Sequence, residues 1–271
     1  MQANQEPRRA FAVAAHPDDI EFMMAGTLLL LREAGGDIHY MNVSSGNLGS
    51  LRLSPVETAR IRSDEAQASA ALMQAVWHEP ICDDLQVFYD DRTLRQLAAV
   101  VREVNPAIVL THSLQDYMED HMNTARLAVT ATFARSVPGY RTVPPRDDVP
   151  TSVTIYHGMP HGLRDGMRRP VIPEAFVDTS TVQGRKRQAL ECHRSQRDWL
   201  DATQGMDNYV TTMDQFGRTL GSMSRKFEFA EGWRRHLHYG FGKEEDDPLE
   251  AALNDRYLLN PVYQRMLDAP Q

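Results

Sequence analysis

Two short apolar segments on either side of a helix-forming segment constrain the fold more than any other feature of this sequence. Residues 11–15 and 38–43 have the length and composition of buried β-strands. Residues 18–32 between them begin with two acids, which suit the positive N-terminal end of a helix, and are followed by a pair of glycines. A strand, a helix and a second strand in this order predict a crossover between two parallel strands.

The remaining sequence continues this alternation and predicts an α/β fold with a mostly parallel sheet flanked by helices. Residues 1–204 are predicted to form this domain. Residues 205–271 lack clear strand signals and are predicted to form a helical C-terminal extension packed on the same domain. Further strands are expected at 107–111 and 152–156, an exposed loop at 138–150, and helices at 57–73, 94–104, 121–135 and 181–203.

The composition excludes several classes of protein. The chain has 271 residues and a formal net charge of -8, which disfavours a nucleic-acid partner and favours a small or sugar-like substrate. The apolar run near the N-terminus is too short for a signal peptide or a membrane span, so we expect a soluble, cytoplasmic protein. Cys82 and Cys192 do not form a CxxC motif, so any metal must be held by histidines and carboxylates.

Histidines follow three of the predicted strands. His16, His112 and His157 each stand at or directly after the end of an apolar run. Because open parallel sheets bind ligands at the carboxyl ends of their strands, we expect these side chains to converge at one edge.

A metal site is predicted at this edge. His16 and Asp19 lie three residues apart across the turn from strand to helix, and His121 begins a helix after the third predicted strand. A catalytic zinc site has three protein ligands and an open position, and these three residues suit it. Asp120 could orient a ligand through a hydrogen bond. The simpler interpretation is that the acids cap a helix and that His121 is an ordinary surface residue.

The acid between the two predicted ligands is the candidate general base. Asp18 could take a proton from a water whose pKa zinc lowers toward ~7. Amide hydrolysis also needs a donor for the oxyanion and the leaving amine. His112, Tyr117, His157 and His161 are all candidates for that donor.

Several motifs in register resemble the LmbE-like, or PIG-L, superfamily of zinc-dependent N-acetylglucosamine deacetylases. The resemblance covers about the first three quarters of the chain. It is carried by Ala15-His16-Pro17-Asp18-Asp19-Ile20-Glu21 with Gly26-Thr27-Leu28, by Arg62 with Glu65, by Asp116-Tyr117-Met118-Glu119-Asp120-His121, and by Val177-Asp178 with Lys186 and His193-Arg194-Ser195-Gln196.

The resemblance implies a Rossmann-like domain with His16, Asp19 and His121 as zinc ligands and Asp18 as the general base. It also implies that Arg62 contacts the sugar or phosphate portion of the substrate, although a helix arginine can equally be a solvated charge or part of an ion pair. We further predict that Asn47, which closes the second strand, and His112 contact the substrate.

One motif departs from the family pattern. Met118-Glu119 stand where the family usually has His-Pro, and that histidine is commonly assigned as the acid or the oxyanion-stabilising group. A methionine cannot donate a proton. Tyr117, His157 or His161 would have to replace it.

These patterns predict a zinc-dependent hydrolase that removes an N-acetyl group from an amino sugar or a sugar conjugate and releases acetate. The alternatives are a zinc hydrolase of another N-acyl amide and a sugar-binding homologue with impaired catalysis. A nucleotide-binding module is disfavoured because two carboxylates occupy the first turn, where that fold requires glycines. We also expect a homo-oligomer.

Overall fold

A mixed eight-stranded sheet forms the centre of the computed structural model, which describes residues 8–196 and 209–268. The strands are β1 Arg9–Ala14, β2 Asp37–Asn42, β3 Val76–His78, β4 Ile108–Thr111, β5 Thr154–Gly158, β6 Ala175–Asp178, β7 Ala230–Arg235 and β8 Tyr257–Leu259. Their order in the sheet is β3-β2-β1-β4-β5-β7-β6-β8. The first five strands in this order are parallel to one another, and β7, β6 and β8 are joined by antiparallel pairing.

Helices cover both faces of this sheet. Alternate residues of β1 point to opposite faces, as strand geometry requires. The described helices are α1 Asp19–Met23, α2 Ala25–Glu33, α3 Pro55–Met73, α4 Asp91–Val104, α5 Glu119–Ala134, α6 Gln183–Leu190, α7 Tyr209–Ser224, α8 Pro248–Leu253 and α9 Pro261–Leu267. Phe11 and Val13 pack with residues of α4 and α5, whereas Ala12 and Ala14 pack with residues of α2 and α3. The predicted α/β class is therefore confirmed.

Two of the predicted helices differ in extent from the structure. The helix expected at 18–32 is interrupted at Met24, whose φ of -129° is not helical, so that α1 and α2 are separate. The helix expected at 181–203 is interrupted, because α6 ends at Leu190 and helical residues begin again at 194–196. Residues 197–203 of that predicted helix, and the predicted boundary between residues 204 and 205, lie outside the described residues.

The C-terminal segment contains the expected helices but also two strands that the sequence did not indicate. β7 inserts between β5 and β6, and β8 pairs with β6, so this segment extends the sheet. The sequence of β7, Ala-Glu-Gly-Trp-Arg-Arg, lacks the alternation of apolar and polar residues that marks a half-buried strand. The predicted helical extension is therefore present in α7, α8 and α9 but incomplete as a description, because the burial pattern of β7 and β8 depends on distant partners.

Candidate active site

The turn between β1 and α1 brings three polar side chains to the carboxyl edge of the sheet. Pro17 follows His16, and Asp18 has a left-handed backbone with φ of 109°. That conformation is uncommon for residues other than glycine and is found mostly where the surroundings enforce it. Asn42 Nδ2 donates to the His16 carbonyl at 2.6 Å, and Asp19 Oδ2 accepts from the His16 amide at 2.7 Å. The turn is thus held by its own side chains and by β2.

The structure brings the three predicted metal ligands together. Possible ligand atoms of His16, Asp19 and His121 all lie within 4.8 Å of one another. His16 Nδ1 is 3.4 Å from Asp19 Oδ2, and His121 Nε2 is 3.5 Å from Asp19 Oδ1. Two imidazoles and one carboxylate at the base of a cavity fit a catalytic zinc ion with an open coordination position.

A carboxylate contacts the outer ring nitrogen of each of these histidines. Asp120 Oδ2 lies 3.1 Å from His16 Nε2, and it also accepts from the Leu85 amide at 2.8 Å. Asp116 Oδ1 lies 3.1 Å from His121 Nδ1. Such hydrogen bonds set the tautomer and the orientation of a metal-binding histidine. The sequence predicted this position for Asp120, but not for Asp116, although Asp116 begins the same motif.

A second possible ligand set consists of His112, Asp116 and His121 and shares His121 with the first. His112 Nε2 accepts from the Ala15 amide at 2.9 Å, so its lone pair already has a partner. The ring of His112 stacks on that of His121 with a centroid separation of 4.2 Å. His112 therefore supports His121 from the side, and the first set is the better metal site.

The electrostatics of the site favour a cation. Burial acts to raise the pKa of Asp19, but the neighbouring His121 and His112 outweigh it and hold that pKa well below its usual value. Burial acts to lower the pKa of His16, yet hydrogen bonds to Asp120 and Asp19 raise it to about 10. The negative field that holds a proton at this point would equally favour a divalent metal, whose binding displaces the proton.

Asp18 lies beside this cluster but does not belong to it. Its carboxylate is buried, Tyr209 donates a hydrogen bond to Oδ2 at 2.8 Å, and Arg62 Nη2 lies 3.8 Å from Oδ1. Burial raises the pKa of Asp18 to about 6, against the opposing influence of Arg62. A carboxylate with a pKa close to neutrality suits the exchange of a proton with water.

These groups open into a cavity of about 760 Å³. Most of the predicted site residues line it, and so does Met118. The predicted residues on its wall are His16, Asp18, Asp19, Arg62, Tyr117, His121 and His161. Arg62 is held by the carbonyls of Pro17 at 2.6 Å and Gly46 at 3.0 Å, so its guanidinium has a fixed position at the wall.

Among the described residues, three predicted contacts do not reach the cavity wall. His157 is buried, and its Nδ1 donates to the His112 carbonyl at 2.8 Å, while its Nε2 lies 3.0 Å from His236 Nδ1. His112 lies behind His121. Asn47 Oδ1 accepts from the Asp84 amide at 3.0 Å and orders the loop after β2. Their positions suit support of the site better than contact with a substrate.

Two of the three residues proposed to replace the family histidine do face the cavity. Tyr117 and His161 line it together with Met118. The ring centroids of Tyr117 and His161 lie 6.4 Å apart, and one ring presents its edge to the other. Desolvation lowers the pKa of His161, and it raises that of Tyr117. Both side chains are therefore neutral near pH 7 and can donate hydrogen bonds.

Tyr209 is a site residue that the sequence analysis missed. It comes from α7, far along the chain from the first motif, and its hydroxyl contacts the candidate base. A tyrosine in a segment without a motif carries no signal of such a contact, because only the tertiary fold brings it to Asp18.

The family comparison agrees with this geometry. Residues 11–132 match the PIG-L family model, which is described as GlcNAc-PI de-N-acetylase. Residues 11–132 therefore carry the resemblance to the PIG-L family domain. The matched segment includes every predicted metal ligand and the candidate base, Asp18.

Relatives of the PIG-L domain catalyse more than one reaction. A 4-oxalmesaconate hydratase from Pseudomonas putida is 29% identical over 201 residues, or 71% of this chain and 76% of the hydratase. A diacetylchitobiose deacetylase from Thermococcus kodakarensis is 26% identical over 196 residues, or 70% of each chain. The crystal structure of 4-carboxy-2-hydroxymuconate hydratase from Pseudomonas putida superposes with a TM-score of 0.71 at 26% identity, covering 89% of this chain and 99% of that one. The family is thus enzymatic and has deacetylase members.

The described helices include none that is both long enough and apolar enough to cross a membrane.

Proposed function

We propose that this PIG-L domain removes the N-acetyl group from an amino sugar or a sugar conjugate in a zinc-dependent hydrolysis. The observation that carries the proposal is the arrangement at the base of the cavity. Possible ligand atoms of His16, Asp19 and His121 lie within 4.8 Å of one another, and a second carboxylate, Asp18, stands beside them without being needed as a ligand.

Zinc bound to these three residues would polarise the acyl carbonyl and lower the pKa of a water molecule. Asp18 takes the proton from the attacking water and returns it to the leaving amine, which suits a carboxylate whose pKa burial has raised. Tyr117 or His161 donates a hydrogen bond to the oxygen that becomes negative. Arg62, which also lines the cavity, contacts the sugar.

Hydration of a carbon–carbon double bond is the second candidate, favoured by the 29% identity to a hydratase. Both reactions add water, and they differ in the group that receives it. The described cavity wall holds two arginines, Arg62 and Arg164, against the four carboxylates of Asp18, Asp19, Asp84 and Asp165. A zinc ion bound at Asp19 would only balance these charges, so the wall offers no excess of positive charge to a substrate with several carboxylates, and a neutral amide suits it better.

The two candidates can be separated by incubating the zinc-loaded protein with three groups of compounds: N-acetylglucosamine derivatives, N-acetyl amino acids and a conjugated unsaturated dicarboxylate. We expect acetate to be released from N-acetylglucosamine derivatives, while the ultraviolet absorbance of a conjugated unsaturated dicarboxylate stays constant. Loss of that absorbance without acetate release would establish the hydratase. Acetate release from N-acetyl amino acids alone would indicate a different acyl amide, and sugar binding without turnover would indicate an impaired homologue.

The role of Asp18 is tested by Asp18→Asn. We expect a loss of activity of about 10²- to 10⁴-fold with unchanged zinc content, because a base and not a ligand is removed. Asp165→Asn is the matched control, since this cavity residue accepts hydrogen bonds from the Met167 and Arg169 amides that an asparagine oxygen can also accept. Full activity of Asp18→Asn would contradict the assignment.

A further inference from the structure

The mouth of the cavity differs in character from its base. Two large apolar side chains of the cavity wall are exposed to solvent, Leu48 by 48% and Leu85 by 64%. At the base, His16, Asp18 and His121 are buried. A substrate whose reacting bond reaches the base therefore leaves its remaining part among apolar side chains.

Both leucines are held in place by hydrogen bonds from their backbones. The Leu85 amide donates to Asp120 Oδ2 at 2.8 Å, and the Leu48 amide donates to Asp84 Oδ2 at 3.1 Å. Asp84 also accepts from the hydroxyl of Ser44 and the amide of Gly46, each at 2.8 Å. The backbone of each leucine is thus fixed by a buried acid.

A leucine is an unexpected residue at position 85, because the backbone there has a left-handed conformation. Its φ of 60° lies in the left-handed region, where glycine or asparagine costs less than leucine. The leucine side chain does not recover that cost by burial within the protein, because most of it faces solvent. A residue that the fold does not favour, placed at the entrance of a cavity, indicates a contact with a ligand.

Apolar residues continue from the mouth toward the base. Phe22, Met23 and Met118 line the deeper wall, and Met118 occupies the position of a histidine in the pattern that this chain resembles. A volume of about 760 Å³ lies in the range of cavities that enclose drug-sized ligands.

We propose that the substrate is an N-acetylated amino sugar with an apolar aglycone, aryl or alkyl, which lies between Leu48 and Leu85 while the N-acetyl group reaches the base. This inference rests on the proposed deacetylation for the position of the reacting bond. The contact with an apolar group at the mouth rests on the exposure and the fixed backbones of the two leucines alone.

The test compares the methyl and phenyl β-glycosides of N-acetylglucosamine, which differ only in the group at the mouth. Burial of one phenyl group is expected to raise kcat/KM by about 10- to 100-fold for the phenyl glycoside. Leu85→Asn and Leu48→Asn should each reduce this ratio several-fold, and asparagine tolerates the left-handed backbone at position 85. Leu51→Asn is the matched control, because Leu51 is also 64% exposed but does not line the cavity.

A second measurement separates this inference from the proposed reaction. Phenyl β-glucoside has no N-acetyl group, and we expect calorimetry to detect its binding to the protein and its weakening in Leu85→Asn. If neither glycoside releases acetate but phenyl β-glucoside binds and Leu85→Asn weakens its binding, the proposed deacetylation is wrong and the proposed apolar contact at the mouth is supported. The inference would be overturned if the two glycosides had equal kcat/KM, or if Leu51→Asn reduced the ratio of kcat/KM between them as much as Leu85→Asn does. It would also be overturned if Leu85→Asn changed the oligomeric state of the protein and left this ratio unchanged.

Discussion

The parallel and antiparallel parts of the sheet contribute to the site in different ways. The parallel part, β1 to β5 with α1 and α5, supplies the candidate ligands His16, Asp19 and His121 directly from the ends of its elements. The antiparallel part, β6 to β8, supplies none of them among the described residues. Instead, Glu231 of β7 accepts from the Gly26 and Thr27 amides at 2.8 and 2.7 Å, at the beginning of α2.

This difference indicates a division between chemistry and support. Glu231 also pairs with Lys186 of α6 at 2.6 Å, and Trp233 of β7 donates to the Thr27 hydroxyl at 3.0 Å. These contacts fix α2, which follows directly on the α1 helix that begins with Asp19. We therefore expect substitutions in the supporting contacts to change stability, and substitutions around the ligands to change metal affinity.

The largest expected effect is on stability. Lys186→Met removes the cation from a buried ion pair and leaves the Glu231 carboxylate buried with hydrogen bonds alone. Breaking such a pair costs about 3–5 kcal/mol of unfolding free energy. Denaturant titration of the zinc-free protein measures this loss.

Arg185→Met is the control for this substitution. Arg185 lies next to Lys186 in the same helix, but its ion pair with Glu33 is solvent-exposed. Exposed pairs contribute about 0–1 kcal/mol. Equal losses for the two variants would contradict the supporting role of the buried pair.

The same division explains how much the sequence could predict. His16, Asp18 and Asp19 stand within one short segment at a strand end, where periodicity and topology together locate them. Glu231 cannot be recognised in this way, because a charged residue in a strand is buried only when Lys186 and the first turn of α2 are present. β3, with three residues, is likewise too short to show a period.

A smaller effect is expected on metal affinity. Asp116→Asn weakens the hydrogen bond that orients His121, and loss of such contacts typically reduces metal affinity by about 10- to 100-fold. Competition with a chromogenic chelator measures the zinc affinity. Glu119→Gln, an exposed acid in the first turn of α5, is the control and should leave it unchanged. If Asp116→Asn lowered stability but not zinc affinity, Asp116 would belong with the supporting contacts.

Tyr209 is a residue of the C-terminal segment that contacts the candidate base directly. It belongs to the C-terminal segment, yet its hydroxyl donates to Asp18 Oδ2 at 2.8 Å. Tyr209→Phe removes one hydrogen bond to a buried acid, a contact worth about 1.5–3 kcal/mol, so we expect kcat to fall about tenfold or more with unchanged zinc affinity. Tyr239→Phe, at an exposed tyrosine, should retain full activity. Unchanged kcat in Tyr209→Phe would restrict the C-terminal segment to support.

The smallest expected effect concerns a histidine pair of the parallel part that lies away from the cavity. His39 Nδ1 of β2 is 2.9 Å from His78 Nε2 of β3, and burial, together with the neighbouring His78, lowers the pKa of His39 to about 4. The unfolded chain therefore binds more protons than the folded chain between about pH 6.5 and pH 4, so folded-state stability falls as the pH falls through this window. Because the pair is only partly buried, we expect a contribution of about 1 kcal/mol to the unfolding free energy.

His39→Gln should reduce the loss of unfolding free energy between pH 7 and pH 4.5 by that amount without changing zinc affinity at pH 7. A change in zinc affinity in His39→Gln would show that a substitution at the edge of the sheet also alters the metal ligands. Contacts that affect stability and contacts that affect metal binding could then not be separated as described above.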